Sequence, residues 1–217
     1  MKHILISAFI LTLLISCNNS KQEKYKKSGR LELPEPDQEV RLLGEAIQRL
    51  RNKNCTLIEP DTSICGVSLR NSETANKVFG IDKKINEKEQ YQFYSNLDNE
   101  TLIVSQYPGD IKNQVSLFTV YYSDKVYHGY KQLKIETFET EKGVKLGLTK
   151  QQLVNKLGTC YEIVDSTKDC LQLYYRIENP KDSRTKILAR HNMPVYFGTY
   201  TFYNDKLKYF KFGFEYP

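Results

Sequence analysis

The clearest structural pattern in this 217-residue chain is the segment Val195-Tyr-Phe-Gly-Thr-Tyr-Thr-Phe-Tyr-Asn-Asp-Lys-Leu-Lys-Tyr-Phe-Lys-Phe-Gly-Phe214. Aromatic residues recur at alternate positions on both sides of Asn204 and Asp205, which favour a tight turn. This pattern predicts an antiparallel hairpin with one face packed under helices and the other face partly wet.

Similar period-two segments precede this hairpin. Segments 91–95 and 101–104 flank a turn at Asp98-Asn99, segment 116–122 turns at Ser123-Asp124 into segment 126–130, and a further hairpin turns at Asp165-Ser166. The pattern predicts about four antiparallel strands in each half of the chain.

Two short helices are predicted ahead of these strands. Thr149 followed by Gln152 forms a capping box, and Gly158 can take the left-handed conformation that ends a helix. Ser72 and Gly80 bracket the first helix similarly. The apolar face of the second helix is predicted from the spacing of Leu148, Leu153 and Leu157.

The two halves also resemble each other in sequence. Segment 66–80 matches segment 143–158 with one residue inserted, and segment 122–126 resembles segment 203–207. A unit of about 80 residues therefore occurs twice. The predicted fold class is α+β, with two tandem helix-plus-four-stranded antiparallel sheet units over residues 37–140 and 141–217. An additional N-terminal helix belongs to the first unit.

The second unit resembles a family of small bacterial envelope domains. Segment 144–158 is similar to the helix entry of domains related to the beta-lactamase inhibitor protein and to the SmpA/OmlA-like outer-membrane lipoproteins of the barrel-assembly machinery. Tyr200-Thr201-Phe202, Asn204-Asp205 and Leu207 occupy the final hairpin of that pattern. The resemblance implies a non-catalytic, protein-binding role, and it transfers no binding residue because contacts in that family lie at variable positions.

The N-terminus carries an export signal. Met1-Lys2-His3 precedes the apolar run 4–15, and Ser16 precedes Cys17. The run is too short to span a membrane comfortably, so it is typical of a cleaved signal. We expect residues 1–16 to be a lipoprotein signal peptide and Cys17 to be lipidated with fatty acyl chains such as palmitate, which hold the protein on a membrane. A non-lipidated secretory signal is the alternative.

Residues 17–36 are predicted to form a disordered tether. The segment is polar and interrupted by Pro34 and Pro36. Its basic side chains either remain solvated as part of the tether or contact anionic lipid headgroups. They are Lys21, Lys24, Lys26, Lys27 and Arg30. Cleavage removes Lys2 and takes the net charge from +6 to +5, and export separates the chain from nucleic acid.

The first helix of the mature chain is predicted directly after the tether. Asp37 can cap it. Val40, Leu43, Ile47 and Leu50 recur at three- and four-residue steps and form an apolar stripe. One face of this helix should pack on the folded unit.

The remaining cysteines form two evenly spaced pairs. Cys55 and Cys65 are ten positions apart, and so are Cys160 and Cys170. In an oxidising envelope this spacing favours two local disulfides among the three possible pairings. The resemblance places Cys160 with Cys170 just after the helix of a repeat, as in the tandem inhibitor. Zinc is disfavoured because no Cys-x-x-Cys occurs, and no metal or other cofactor is expected.

An enzyme needs a catalytic constellation, and the sequence shows none. His128 and His191 lack any accompanying hydrolase, metalloprotease or phosphate-binding motif. Carboxylate pairs such as Asp165 with Asp169 fall in turns, without an apolar setting that would separate their pKa values. An enzyme would be favoured again if His128 and His191 converged beside a carboxylate.

Two functional hypotheses follow. The first is an envelope lipoprotein that binds another protein, as an assembly accessory, an inhibitor or an immunity protein. The candidate contact residues are Tyr196, Tyr200, Phe202 and Tyr209. The alternative is that these tyrosines pack under the helices. The second is a carrier of a small hydrophobic ligand in a cavity lined by Phe118, Phe202 and Phe212. Asn18 favours outer-membrane over inner-membrane sorting if the cell has two membranes.

Overall fold

The computed structural model describes residues 38–51, 54–80, 90–97, 99–123, 131–178 and 185–215. These residues belong to one compact unit. The predicted signal peptide, Cys17, the tether, Asp37 and the whole of segment 124–130, which includes His128, lie outside the described residues. The lipidation and tether predictions therefore stay predictions.

Four helices and ten strands are found in the described part of the chain. The helices are α1 Gln38–Arg51, α2 Ser72–Phe79, α3 Lys150–Leu157 and α4 Ile187–His191. The strands of the first half are β1 Ser63–Ile64, β2 Val67–Ser68, β3 Gln90–Tyr94, β4 Glu100–Ser105, β5 Leu117–Tyr122 and β6 Lys131–Gln132. Those of the second half are β7 Tyr161–Ser166, β8 Cys170–Ile177, β9 Val195–Tyr203 and β10 Lys206–Glu215.

Eight of these strands form one mixed sheet in the order β6-β3-β4-β5-β10-β9-β8-β7. The predicted fold class of two tandem helix-plus-four-stranded antiparallel units is therefore wrong. Strand β5 pairs with β10, so the sheet is continuous, and β6 lies parallel to β3. A physical reason is that two separate sheets would leave the backbone N–H and C=O groups along β5 and β10 unpaired, and joining the strands satisfies both edges.

The central hairpin confirms the local pattern that predicted it. Strand β9 pairs with β10 from Tyr203 opposite Lys206 to Val195 opposite Glu215. Asn204 and Asp205 both have positive φ, at 50° and 58°. Two-residue hairpin loops favour this conformation because its twist matches that of the strands.

The helix caps are also largely as predicted. Thr149 and Gln152 form a reciprocal capping box at the start of α3, and Gly158 follows its end. Helix α2 is capped by Asn71 rather than Ser72, since the Asn71 side chain accepts hydrogen bonds from the N–H groups of Glu73 and Thr74. Local hydrogen-bonding chemistry of this kind can be predicted from a few neighbouring residues.

The main core lies between one face of the sheet and helices α2 and α3. Phe79 of α2 stacks on Phe93 of β3 with ring centroids 4.2 Å apart. Leu153 and Leu157 of α3 belong to the same cluster. Its largest buried sheet residues are Phe118, Tyr196, Tyr200, Phe202, Phe210, Phe212 and Phe214.

The predicted local disulfides are wrong. Cys55 is bonded to Cys160, and Cys65 and Cys170 are free thiols. Cys160 directly precedes β7 and Cys170 begins β8, so the two lie at opposite ends of an antiparallel hairpin in which Tyr161 faces Tyr175. A disulfide requires two Cα atoms within about 7 Å of each other. The six residues of β7 span about 20 Å, so Cys160 and Cys170 are too far apart to bond.

A close backbone contact explains the pairing that forms instead. Thr56 O accepts a hydrogen bond from Thr159 N at 2.8 Å, and Leu57 forms a bridge with Gly158. A Cβ on Gly158 would lie 2.3 Å from Thr56 O, so only glycine permits this approach. The contact brings Cys55 beside Cys160. Cys65 lies elsewhere, where its N–H donates to Glu139 O at 3.0 Å.

Helix α1 packs on the opposite face of the sheet. Ala46, Val164 and Tyr174 form a second, smaller buried cluster. Leu42, Leu43, Ile47, Leu50 and Phe197 pack against it. Val40 was predicted to belong to this apolar stripe, but it is 60% exposed.

Candidate functional site

The candidate site is a groove on the sheet face that carries α1, called here the sheet groove. Its volume is about 450 Å³. It is lined by Glu39 and Leu43 of α1, by Tyr107, and by Gln172, Tyr174, Phe197, Thr199, Tyr209, Lys211 and Glu215 of the sheet. The groove has both aromatic and charged walls.

Strand register builds the floor of the groove. Tyr174 of β8 faces Thr199 of β9, Thr199 faces Lys211 of β10, and Lys211 faces Thr119 of β5. The short threonines lie on both sides of the longer lysine. Because side chains in register share one face of a sheet, the two threonines leave space beside the ammonium group.

Helix α1 forms one wall of the groove. Its apolar side chains contact Tyr174 and Phe197, and Arg49 Nε donates to Glu162 Oε2 at 3.0 Å. Arg51 also forms an ion pair with Glu178. Exposed ion pairs of this kind contribute about 0 to 1 kcal/mol, so the apolar contact supplies most of the docking energy.

A charged network fixes the aromatic wall. Arg176 donates from Nη1 to the hydroxyl of Tyr174 at 3.0 Å and to Glu215 Oε2, and from Nε to Glu178 Oε2 at 3.0 Å. The Tyr174 hydroxyl accepts in this bond, so its own proton points elsewhere. The Glu215 carboxylate is neutralised by Arg176 within this network.

Lys211 is the cation in the groove that has no carboxylate partner. Its side chain is half-buried, its Nζ lies 5.5 Å from the centroid of the Phe197 ring, and it forms no ion pair with any described residue. Burial lowers the pKa of the ammonium group, and the charge of Glu39 partly opposes that shift. A ring face beneath a cation stabilises it modestly.

The predicted contact residues are divided between the two faces of the sheet. Tyr196, Tyr200 and Phe202 are 1 to 2% exposed in the main core, and the Tyr196 hydroxyl donates to Asp61 O at 2.7 Å. As contact candidates these three are wrong, because no partner can touch them in the folded chain. Tyr209 is half-buried in the sheet groove.

Sequence reasoning missed Tyr174, Phe197 and Lys211. The alternation that defined the hairpin does place Phe197, Thr199 and Lys211 on the face opposite Tyr196 and Tyr200. Both faces carry aromatic residues, however, so the pattern did not show which face the helices α2 and α3 would cover.

Comparisons with protein-family models, with curated proteins and with solved structures found no match to this chain. None of the helices in the described residues is long and apolar enough to cross a membrane. Among the same residues, no group of three metal-ligating side chains could hold a metal ion.

The hydrophobic core has little free space for a ligand. Phe118 and Phe212, expected to line a carrier cavity, are fully buried and lie 5.4 Å apart between ring centroids. A core cavity lined by Leu57, Tyr175, Tyr196 and Tyr200 has a volume of about 10 Å³. That is roughly the space required by one water molecule, so this cavity admits no hydrophobic ligand.

Of the two histidines considered for catalysis, His191 belongs to the described residues and His128 does not. The ring of His191 packs against Phe214 with centroids 5.1 Å apart. Burial lowers the pKa of His191, and the charges of Arg190 and Arg70 lower it further. His191 is the last residue of the short helix α4.

One buried carboxyl is unusual. Asp61 is 0% exposed, its Oδ1 accepts from Lys142 N at 3.1 Å, and its Oδ2 has no hydrogen-bond partner among the described residues. Burial raises its pKa from 3.8 to about 6, and the hydrogen bond from Lys142 opposes the shift. Because this group lies beside the core, its titration affects stability rather than the sheet groove.

We expect unfolding to become easier as the pH rises from about 4 to 6. The folded state holds the Asp61 proton more tightly than the unfolded state, so this group favours folding fully below pH 3.8 and the advantage is lost through pH 6. The shift corresponds to about 3 kcal/mol. Urea unfolding from pH 4 to 8 measures it. The Asp61→Asn variant should lose most of this slope, and an unchanged slope would contradict the assignment to Asp61.

Proposed function

We propose that this protein is a membrane-anchored envelope lipoprotein, held by lipid on Cys17, whose sheet groove binds another protein. It acts as a non-catalytic binding module of the envelope-assembly, inhibitor or immunity type. The observation that supports this proposal most directly is the sheet groove itself, with its aromatic walls and an unpaired cation on a rigid sheet.

The composition of the groove suits a protein partner. Tyr174, Phe197 and Tyr209 offer large aromatic surfaces that lose little side-chain entropy on binding. Tyrosine, phenylalanine and other aromatic residues are enriched where proteins contact each other. At about 450 Å³ the groove can accept a few side chains, which is the scale of an interface hot spot rather than of a whole interface.

The sequence supplies the anchor in this proposal. Twenty residues separate Cys17 from Gln38, the first residue of α1. The predicted lipid on Cys17 would hold the protein on a membrane, where the groove can meet partners that share that membrane. The resemblance to envelope inhibitor and assembly domains agrees with this role.

A crosslinking experiment in living cells tests the proposal. The full chain carries a photoreactive benzophenone amino acid in place of Tyr209, or, as a control, in place of Leu97, which is 63% exposed in the turn after β3. We expect one defined protein adduct from position 209 and none from position 97. The adduct should fractionate with membranes and carry metabolically incorporated palmitate.

Matched variants make the result decisive. Cys17→Ala should abolish palmitate labelling and release the adduct from the membrane fraction. The absence of an adduct at position 209, or equal adducts at 209 and 97, would contradict binding through the sheet groove. Palmitate labelling that persists in Cys17→Ala would contradict the anchor.

A further inference from the structure

We infer that Lys211 anchors an acidic side chain, aspartate or glutamate, that the partner protein inserts into the sheet groove. This inference rests on the proposed function, since it names the chemistry that the same groove recognises. Its basis is the juxtaposition of a half-buried ammonium group, the Phe197 ring and two flanking threonines.

The ammonium group lies where a carboxylate can reach it. Lys211 is flanked in register by Thr199 on one side and Thr119 on the other, and both side chains are short. Its Nζ lies over the Phe197 ring, 5.5 Å from the ring centroid. A carboxylate entering above the threonines would meet the ammonium group and could also accept hydrogen bonds from hydroxyl groups.

The charges around the groove make Lys211 the remaining recognition element. Glu215 is bound by Arg176. Glu39, on α1, acts on Lys211 through its charge without forming an ion pair with it. Arg176 is itself shared between Glu178, Glu215 and the Tyr174 hydroxyl. The charge that lacks a bonded counterion on the groove floor is therefore positive.

Partial burial makes this charge effective. An ion pair gains more where water is partly displaced than on an open surface. The lowered pKa of Lys211 shows that its ammonium group has already lost part of its hydration. A partner carboxylate would restore the lost stabilisation. Phe197 and Tyr209, which line the same groove, would contact the apolar neighbours of the acidic residue.

A carboxylate fits this groove better than a phosphate group. Phosphate sites in proteins generally offer several N–H donors or a cluster of arginines. The sheet groove offers one ammonium group, and Glu39 and Glu215 lie on its walls. Because Arg176 neutralises Glu215, the Glu39 carboxylate is the relevant negative charge, and it repels a doubly charged phosphate more strongly than a singly charged carboxylate.

The test uses two blocked dipeptides that differ only in charge. Amide NMR spectra of the mature full-length chain are recorded during titration with acetyl-Asp-Phe-amide, acetyl-Asn-Phe-amide or inorganic phosphate. We expect the aspartyl peptide to shift the signals of Phe197, Thr199 and Lys211 with a millimolar dissociation constant, and the asparaginyl peptide to bind about tenfold more weakly.

Two lysine variants provide the decisive comparison. Lys211→Met should remove the tenfold preference for the aspartyl peptide, whereas Lys208→Met should keep it. Lys208 is an exposed lysine of the same strand, placed over the Tyr122 ring outside the groove lining. Lys211→Gln replaces the methionine variant if the latter does not fold.

Several outcomes would overturn the inference. They are equal affinity for both peptides, a preference that persists in Lys211→Met, tighter binding of phosphate than of the aspartyl peptide, and no binding of any probe up to about 20 mM. The crosslinking experiment separates this failure from failure of the proposed function. If the adduct at position 209 were undiminished in a Lys211→Met background, protein binding through the groove would still be supported. The proposed role of Lys211 as the anchor would be rejected.

Discussion

Replacing both Cys55 and Cys160 with serine should lower the free energy of unfolding by about 4 to 5 kcal/mol. The bond joins residues 105 positions apart, and closing a loop of roughly that length removes about 4.7 kcal/mol of chain entropy from the unfolded state. The loss is a large fraction of the 5 to 15 kcal/mol that stabilises a typical domain. Urea unfolding followed by tyrosine fluorescence measures it, since the chain has no tryptophan.

The free cysteines provide the matched control. Replacing Cys65 and Cys170 with serine together should change stability by about 1 kcal/mol or less, because neither thiol forms a disulfide and both are only half-buried. Peptide mapping of the unreduced protein should recover Cys55 linked to Cys160. Recovery of Cys55 with Cys65, or equal destabilisation by both double substitutions, would contradict the long-range pairing.

Gly213→Ala should destabilise the protein by several kcal/mol, about 3 to 5, because it acts at the strand pair that joins the two halves of the sheet. A Cβ at this position would lie 2.3 Å from Ser116 O and 2.9 Å from Leu117 Cα. The residue also has a φ of 152°, which side chains rarely adopt. Since both obstacles are backbone geometry, no side-chain rotation relieves them, and β10 must separate from β5 locally.

Gly44→Ala is the matched glycine control. Nothing lies within 4 Å of a Cβ at Gly44, which is exposed in α1. Alanine there should stabilise the chain by about 0.5 to 1 kcal/mol through its higher helix propensity. Thermal unfolding of the two variants should therefore move in opposite directions. An unchanged melting temperature for Gly213→Ala would refute the close approach of β10 to β5.

The candidate site shows where sequence reasoning stops. The alternation in segment 195–214 correctly predicted strands with two distinct faces. It did not separate Tyr209 from Tyr196, Tyr200 and Phe202, whereas the structure places Tyr209 on the opposite face, with Phe197 and Lys211. The choice between the two faces depended on which face α2 and α3 cover. That contact joins residues such as Phe79 and Phe93 across separate elements, and no local pattern encodes it.

The cysteines show the same division more sharply. Equal spacing of Cys55 with Cys65 and of Cys160 with Cys170 favoured local pairs. The register of the β7–β8 hairpin separates Cys160 from Cys170, and the contact of Thr56 with Thr159 brings Cys55 to Cys160. Pairing depends on distance in space, which spacing along the chain reflects only when the intervening residues form a compact turn.

Elements that depend only on neighbouring residues could be predicted from the sequence. These include the turn at Asn204-Asp205, the capping box at Thr149 and the alternation of the strands, because turn dihedrals, caps and side-chain direction are set within a few residues. Three features depend on contacts between distant parts of the chain. Strand β5 pairs with β10, Cys55 is bonded to Cys160, and Lys211 rather than Tyr196 lies in a groove. Each of these features depends on which distant surfaces pack together to bury apolar area and satisfy backbone hydrogen bonds. A period-two pattern predicts that a strand has two faces, but it does not predict which strands pair with it.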